Sequence, residues 1–247
     1  FIEMHALSTE PAGSSAGEWD EAALAARRDK LLQLSERIGA MADMDFGFLY
    51  DPGRDLLSIG YNVDDRRRDA SHYDLLASEV RLASFVAIAK GDVPQESWFH
   101  LGRLHVQACD QRVLLSWTGT LFEYLMPALW FRHQPHTIVH DSMCAAVRVQ
   151  RTFARGRNIP WGFSESGLIV PDSEDYGYAP CGHPELALKP LDPRTLVISP
   201  YSSYLALLVD GPAAVENLTL LARLGCVGSY GFFEALDYSR GNPELVR

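Results

Sequence analysis

The chain has 247 residues, 47% of them apolar and 22% charged, enough for one large domain or two small ones with a real core. Its formal net charge of -10 argues against nucleic acid or an anionic membrane surface as partner, since both recruit Lys and Arg. A neutral carbohydrate partner remains open. No apolar run reaches the roughly 18 residues that a membrane span requires, so no direct membrane contact is expected.

Cys109, Cys144, Cys181 and Cys226 form no CxxC pair and no metal-ligand spacing with the histidines. Reduced thiols in a reducing compartment are therefore expected, with no cofactor and no metal. The chain opens on Phe1 without a leader pattern and is expected to be a piece of a longer protein.

Residues 11–17 are small and polar, so residues 1–17 read as a linker and 18–247 as one domain. Leu24, Leu31, Leu34, Ile38 and Met41 recur at helical spacing and predict a helix over 18–42. Residues 46–61 read as a β-hairpin turning at Asp51-Pro52-Gly53-Arg54. A helix is expected over 71–90, capped by Ser71 and ended by Gly91 and Pro94. Further helices are expected over about 121–131, 137–157, 199–209 and 212–224. Residues 161–179 read as a long surface loop of the functional kind, and 231–238 as a short helical turn. Helix-connection-helix order with a single hairpin suggests an all-α fold, an α/α toroid.

The segment 61–90 gathers Asp65, Asp69, Asp74 and Glu79 with Tyr73 and Arg81, more acids than a helix start needs. Glycosidic chemistry needs carboxylates facing one another across a sugar, beside aromatic rings on which the sugar rests. Glu79, at the edge of an apolar helix face, would be partly desolvated and its pKa raised. Trp117-Thr-Gly-Thr-Leu-Phe-Glu123-Tyr124 joins an indole and a phenol to a carboxylate. Its simpler reading is a capping box with Thr118 or Thr120. Trp161-Gly-Phe-Ser-Glu165 sets a glutamate in a Gly- and Ser-bounded loop, the layout of a catalytic acid at a sugar cleft. Glu234 and Tyr238 repeat the theme beside Phe232 and Phe233, which read as core. Arg66, Arg67 and Arg68 read as a solvated loop balancing nearby acids. The histidines, His72, His133 and His183 among them, read as surface or satisfied polar groups.

Together, Asp45-Phe-Gly-Phe-Leu-Tyr50, Gly60-Tyr-Asn-Val63, Tyr73-Asp-Leu-Leu-Ala-Ser-Glu-Val-Arg-Leu-Ala-Ser-Phe85, Trp98-Phe-His-Leu-Gly-Arg103, Ser116-Trp-Thr-Gly-Thr-Leu-Phe-Glu-Tyr-Leu-Met-Pro127, Pro160-Trp-Gly-Phe-Ser-Glu-Ser166 and Gly231-Phe-Phe-Glu-Ala-Leu-Asp-Tyr238 carry a resemblance. From about Met44 to Tyr238, in the same order, the chain resembles the glucoamylase-like central domain of cyclic β-1,2-glucan synthases. The resemblance implies an (α/α)6 barrel acting on β-1,2-glucan, closing linear chains into rings by transglycosylation. Related endo-β-1,2-glucanases share that fold and hydrolyse the same linkage. It also implies a parent protein on the cytoplasmic side of the bacterial inner membrane, with a glycosyltransferase region before this segment and a phosphorylase-like region after it.

Residue by residue, Glu79 and Glu165 match the family's catalytic carboxylates. Asp74, Arg103, Trp117, Glu123, Trp161 and Tyr238 match positions expected around the sugar subsites, to which Asp65, Tyr73, Arg81, Tyr124 and Glu234 are added. Two departures stand out. Arg68 replaces an apolar residue at a loop edge, and the family's downstream His-His-Gln-Gly segment is missing, so an incomplete barrel is expected. The expectation is a retaining glutamate pair, Glu79 as nucleophile and Glu165 as acid/base. The alternatives are an inverting glucanase of the same fold and a glycan-binding module without turnover.

Overall fold

The computed structural model describes residues 20–130, 132, 134–170 and 176–247. The 1–17 linker, residues 18–19, His133 and part of the 161–179 segment lie outside the described residues. The chain divides into two compact units, Phe1–Asp45 and Phe46–Arg247. In the first, α1 (Glu21–Ala42) begins where the Asp20 side chain accepts a hydrogen bond from Ala22 N. Its apolar positions Leu24, Leu31, Ile38 and Met41 are exposed.

The second unit opens with the expected hairpin, β1 (Tyr50–Asp51) against β2 (Leu56–Leu57), its turn held by Gly53 N donating to Asp51 Oδ1 at 2.9 Å. A second hairpin follows, β3 (Tyr61–Asn62) against β4 (Arg67–Arg68), where only an acidic loop was expected. The helix expected over 71–90 is half that length: α2 runs Val80–Lys90 and ends, as read, at a left-handed Gly91. Upstream of it, His72 bridges to Ser58 and Leu75 to Gly102. Ser78 Oγ donates to Leu75 O and accepts from Val80 N. A side chain that offers the backbone a local partner in this way competes with the helix.

After α3 (Glu96–His100) comes the hairpin of β5 (His105–Ala108) and β6 (Gln111–Leu114). Next are α4 (Leu121–Leu125), tightening into a 3₁₀ turn at Met126–Leu129, and α5 (Ile138–Arg155), capped by Thr137. The expected 161–179 loop is instead the hairpin of β7 (Glu165–Ile169) and β8 (Tyr176–Pro180). β9 (Val197–Ile198) leads into α6 (Pro200–Ala206) and α7 (Gly211–Arg223), the latter capped by Asp210. The expected helical turn at 231–238 is extended: β10 (Val227–Gly228) pairs with β11 (Gly231–Phe232). β12 (Ala235–Asp237) lies between β9 and β13 (Glu244–Val246).

The all-α description is thus corrected. Among the described residues, seven helices alternate with six small antiparallel sheets, and the helices close no barrel. The core lies where Met143, Ala146, Val147 and Val149 of α5 meet Leu121, Tyr124 and Leu125 of α4, Ala206 of α6 and Leu221 of α7. Two glycines bring the 116–120 loop onto this core. A Cβ on Gly119, whose φ is +67°, would lie 2.3 Å from His183 O, and one on Gly182 would lie 1.8 Å from Thr118 O.

Candidate active site

A cavity of about 410 Å³ opens in the second unit. Its wall holds Glu79, Glu123 and Glu165, the aromatic rings of Tyr73 and Trp117, and Ile59, Ser71, His72, Ser78, Thr118 and Lys189.

Glu79 stands at the turn immediately before α2, not in mid-helix. Burial raises its carboxyl above the ordinary value. The charges of Glu123 and Glu165 push the same way, against a backbone amide and the Arg81 guanidinium. A carboxyl whose pKa is raised keeps its proton to higher pH than an ordinary glutamate, which suits it to proton donation.

Glu165 opens β7, opposite Pro180 of β8. Its Oε2 accepts from the Tyr178 hydroxyl at 2.9 Å and its carbonyl from the Tyr201 hydroxyl at 3.0 Å. Burial and that carboxylate push the Tyr178 phenol up to about 12. Just upstream, Gln150 of α5 holds both backbone groups of Phe163, and Ser164 Oγ accepts from Phe122 N. The glutamate expected on a flexible loop is therefore braced by α4, α5 and α6.

Glu123 is buried, and its carboxylate oxygens accept from Ser116 Oγ, the amides of Trp117, Thr118 and Thr120, and the hydroxyls of Thr118 and Thr120. Thr120 accepts in return from Glu123 N, completing the capping box. The loop so fixed presents Trp117. Its indole N–H donates to Asp74 Oδ1 at 3.0 Å, and its ring lies under Lys189 Nζ, 5.5 Å from the centroid. Asp74 reaches the cavity through that indole.

The Glycoamylase family model, described as "Putative glucoamylase", matches residues 71–245. The chain belongs to this family. It is 43% identical over 225 residues, 90% of its length, to the cyclic beta-(1,2)-glucan synthase NdvB of Rhizobium meliloti, of which it spans 8%. It shares its fold with an endo-beta-1,2-glucanase from Chitinophaga pinensis, solved with sophorotriose and glucose. That match has a TM-score of 0.63 and 17% identity, and covers 94% of this chain and 57% of that one.

Several residues that sequence set around the sugar do other work in this glucoamylase-family chain. Arg81 is fully buried, with Nη1 donating to Leu76 O and Nη2 to Tyr124 O. Burial lowers its pKa to about 10. Tyr124 is buried too and donates to Leu114 O at 2.6 Å. Arg103 donates to the carbonyls of Trp98, Phe99 and Leu101 at the end of α3. Trp161 faces a different hollow beside Arg151 and Asn217. Asp65 lies exposed in the β3–β4 turn. Glu234 is exposed and accepts from Gly167 N and Ser166 Oγ, tying β7 to the C-terminal strands. Tyr238 packs half-buried on the core. None of these seven lines the cavity.

Ile59, Ser71, His72, Ser78, Thr118 and Lys189 also line the cavity, although Ser71 and Thr118 were expected only as helix caps and His72 only as a surface or satisfied polar group. His72 Nε2 lies 3.1 Å from Asp51 Oδ2, a pairing across the first hairpin that no local spacing announces. His183 is a correction of another kind. It is buried, its Nε2 has no partner, and burial together with Arg157 lowers its pKa to about 4. It is therefore a neutral core group packed on Phe153 and only half satisfied, its Nδ1 accepting from Glu185 N at 3.3 Å. Among the described residues no helix is long and apolar enough to cross a membrane.

Proposed function

We propose that this domain cleaves a β-1,2-glucan at the Glu79–Glu165 cavity and passes the glucosyl group to another hydroxyl of the same glucan, closing a ring. The observation that carries the reading is a single cavity shared by two glutamates distant in sequence, the charge of Glu165 bearing on Glu79, with Trp117 and Tyr73 in its wall. The likeness to a cyclic glucan synthase and to a β-1,2-glucanase supports the substrate class.

In this proposal the roles expected from sequence are exchanged. Glu79, whose proton is held by burial and by two neighbouring carboxylates, protonates the leaving glycosidic oxygen as the C1–O bond breaks. Glu165, oriented by Tyr178, bonds to C1. The acceptor hydroxyl then attacks C1, displacing Glu165 and returning its proton to Glu79. Asp74, through the Trp117 indole, and Lys189, beside its ring, orient the sugar face.

The parent is a larger membrane-anchored protein carrying this domain on the cytoplasmic side, between a glycosyltransferase region and a phosphorylase-like region. The fold shared with a glucanase supports a second reading, in which water takes the acceptor's place. Incubation with linear β-1,2-glucan, read by mass, decides. Products lighter than their linear counterparts by one water are rings and support transfer. New reducing ends support hydrolysis, and unchanged substrate with measurable binding overturns both.

A further inference from the structure

Helix α5 carries Arg148, Arg151 and Arg155 at i, i+3 and i+7, which spreads three guanidinium groups over about 10 Å of one side of the helix. With Thr152, Gln111 and Cys109 they line a cavity of about 330 Å³ whose wall contains no carboxylate. The β5–β6 turn that supplies Cys109 holds left-handed backbone at Cys109 and Asp110. β6 is tied to α5 by Leu114 N donating to Ser142 Oγ.

A second hollow, of about 140 Å³, shares Arg151 and Arg155 and continues past Ile159 and Trp161 to Glu216 and Asn217. The two hollows meet at Arg151 and Arg155, and neither is lined by any of the residues around the Glu79–Glu165 cavity. Arg151 is matched by Asp210 at 2.5 Å, and Arg148 reaches only the neutral Gln111 Oε1, at 3.4 Å. Arg155 is exposed and has no ion-pair partner among the described residues.

Cations gathered in one hollow repel until an anion neutralises them. This gathering occurs on a chain whose net charge is -10. We propose that the hollow of Arg148, Arg151 and Arg155 binds a phosphoryl group, free or esterified to a small polar molecule. The guanidinium fork matches phosphoryl oxygens two at a time. The hollow has the concavity and volume of a small-ligand site, not the extended face that an acidic peptide requires.

The test is calorimetric titration at constant ionic strength with inorganic phosphate and with glucose 6-phosphate, against glucose, sodium chloride and a glutamate-rich peptide. Both phosphoryl probes should saturate one site while glucose and chloride give no signal. Arg148→Ser combined with Arg155→Ser should weaken binding by about tenfold or more, with glucan turnover unchanged. Tighter binding of glucose 6-phosphate than of phosphate assigns the site to an ester, and equal binding assigns it to the free anion. Should the double variant melt early, Arg155→Lys keeps the charge, loses the fork, and must still weaken binding. Absence of saturation, binding that survives these substitutions, or binding of the peptide alone would overturn the proposal.

Discussion

Residues 71–79 and 116–123 both border the Glu79–Glu165 cavity, and each brings a glutamate to the start of a helix, yet the two carboxylates are in opposite situations. Around Glu123 amides and hydroxyls of its own loop converge, so its charge is satisfied and its oxygens are occupied. Glu79 is half-buried with few donors and feels two other carboxylates. What separates Glu123 from the acid proposed to react is the number of donors aimed at it, not its neighbours in sequence. The contrast can be broken experimentally at either end.

The largest effect is expected at the proposed pair, Glu79 and Glu165. Glu79→Gln and Glu165→Gln should each lower turnover on linear β-1,2-glucan by roughly three orders of magnitude, with melting temperature within a few degrees of the parent. Near-full activity in either variant would remove that residue from the chemistry.

Glu123→Gln should do the reverse, acting first on stability. An amide nitrogen would face the Thr118 and Thr120 donors, and leaving such buried groups unmatched costs about 2–4 kcal/mol. Activity would fall only as far as Trp117 moves, so denaturant unfolding should shift well before kcat does. A variant as stable as the parent would show that the donors around Glu123 do not fix the loop.

The contrast also predicts a pH dependence. Because the folded-state pKa of Glu79 is raised, its contribution to stability is complete below the ordinary glutamate range. It is lost as pH rises through the raised folded value. Glu79→Gln should therefore gain stability relative to the parent at neutral pH and lose that gain in acid. As proton donor, Glu79 should also set the alkaline limb of the activity profile, above the ordinary carboxyl range. A variant whose stability difference from the parent stayed flat from pH 4 to about pH 8 would contradict the burial argument.

Much of the scaffold was legible where a local signal suffices. Asp51-Pro52-Gly53 gave the first hairpin, Gly91 the end of α2, and Thr137 the start of α5. A box of Glu123 with Thr118 or Thr120 was legible too, and Thr120 is the residue that caps. The misreadings share a cause, since the deciding partner lies far along the chain. Residues 71–79 look helical until Leu75 meets Gly102, and 165–180 looks like loop until Glu165 meets Pro180. Arg81, Tyr124 and Trp161 sit beside acids and aromatics in sequence, but their polar groups face Leu76, Leu114 and Asn217. Lys189 and His72 reach the cavity by tertiary contact alone.

The smallest effect, and the finest discriminator, concerns Tyr178. Its hydroxyl touches Glu165 Oε2 although the residue is 71% exposed, so its removal leaves no buried group unsatisfied and the fold should not notice. If it orients Glu165, Tyr178→Phe should lower kcat by less than about tenfold, leave KM near the parent value and leave melting unchanged. If the phenol instead contacts the glucan, KM should rise while kcat holds. The split between the two constants therefore tells whether Glu165, like Glu123, depends on its donors for position, or stands by virtue of the strand that carries it.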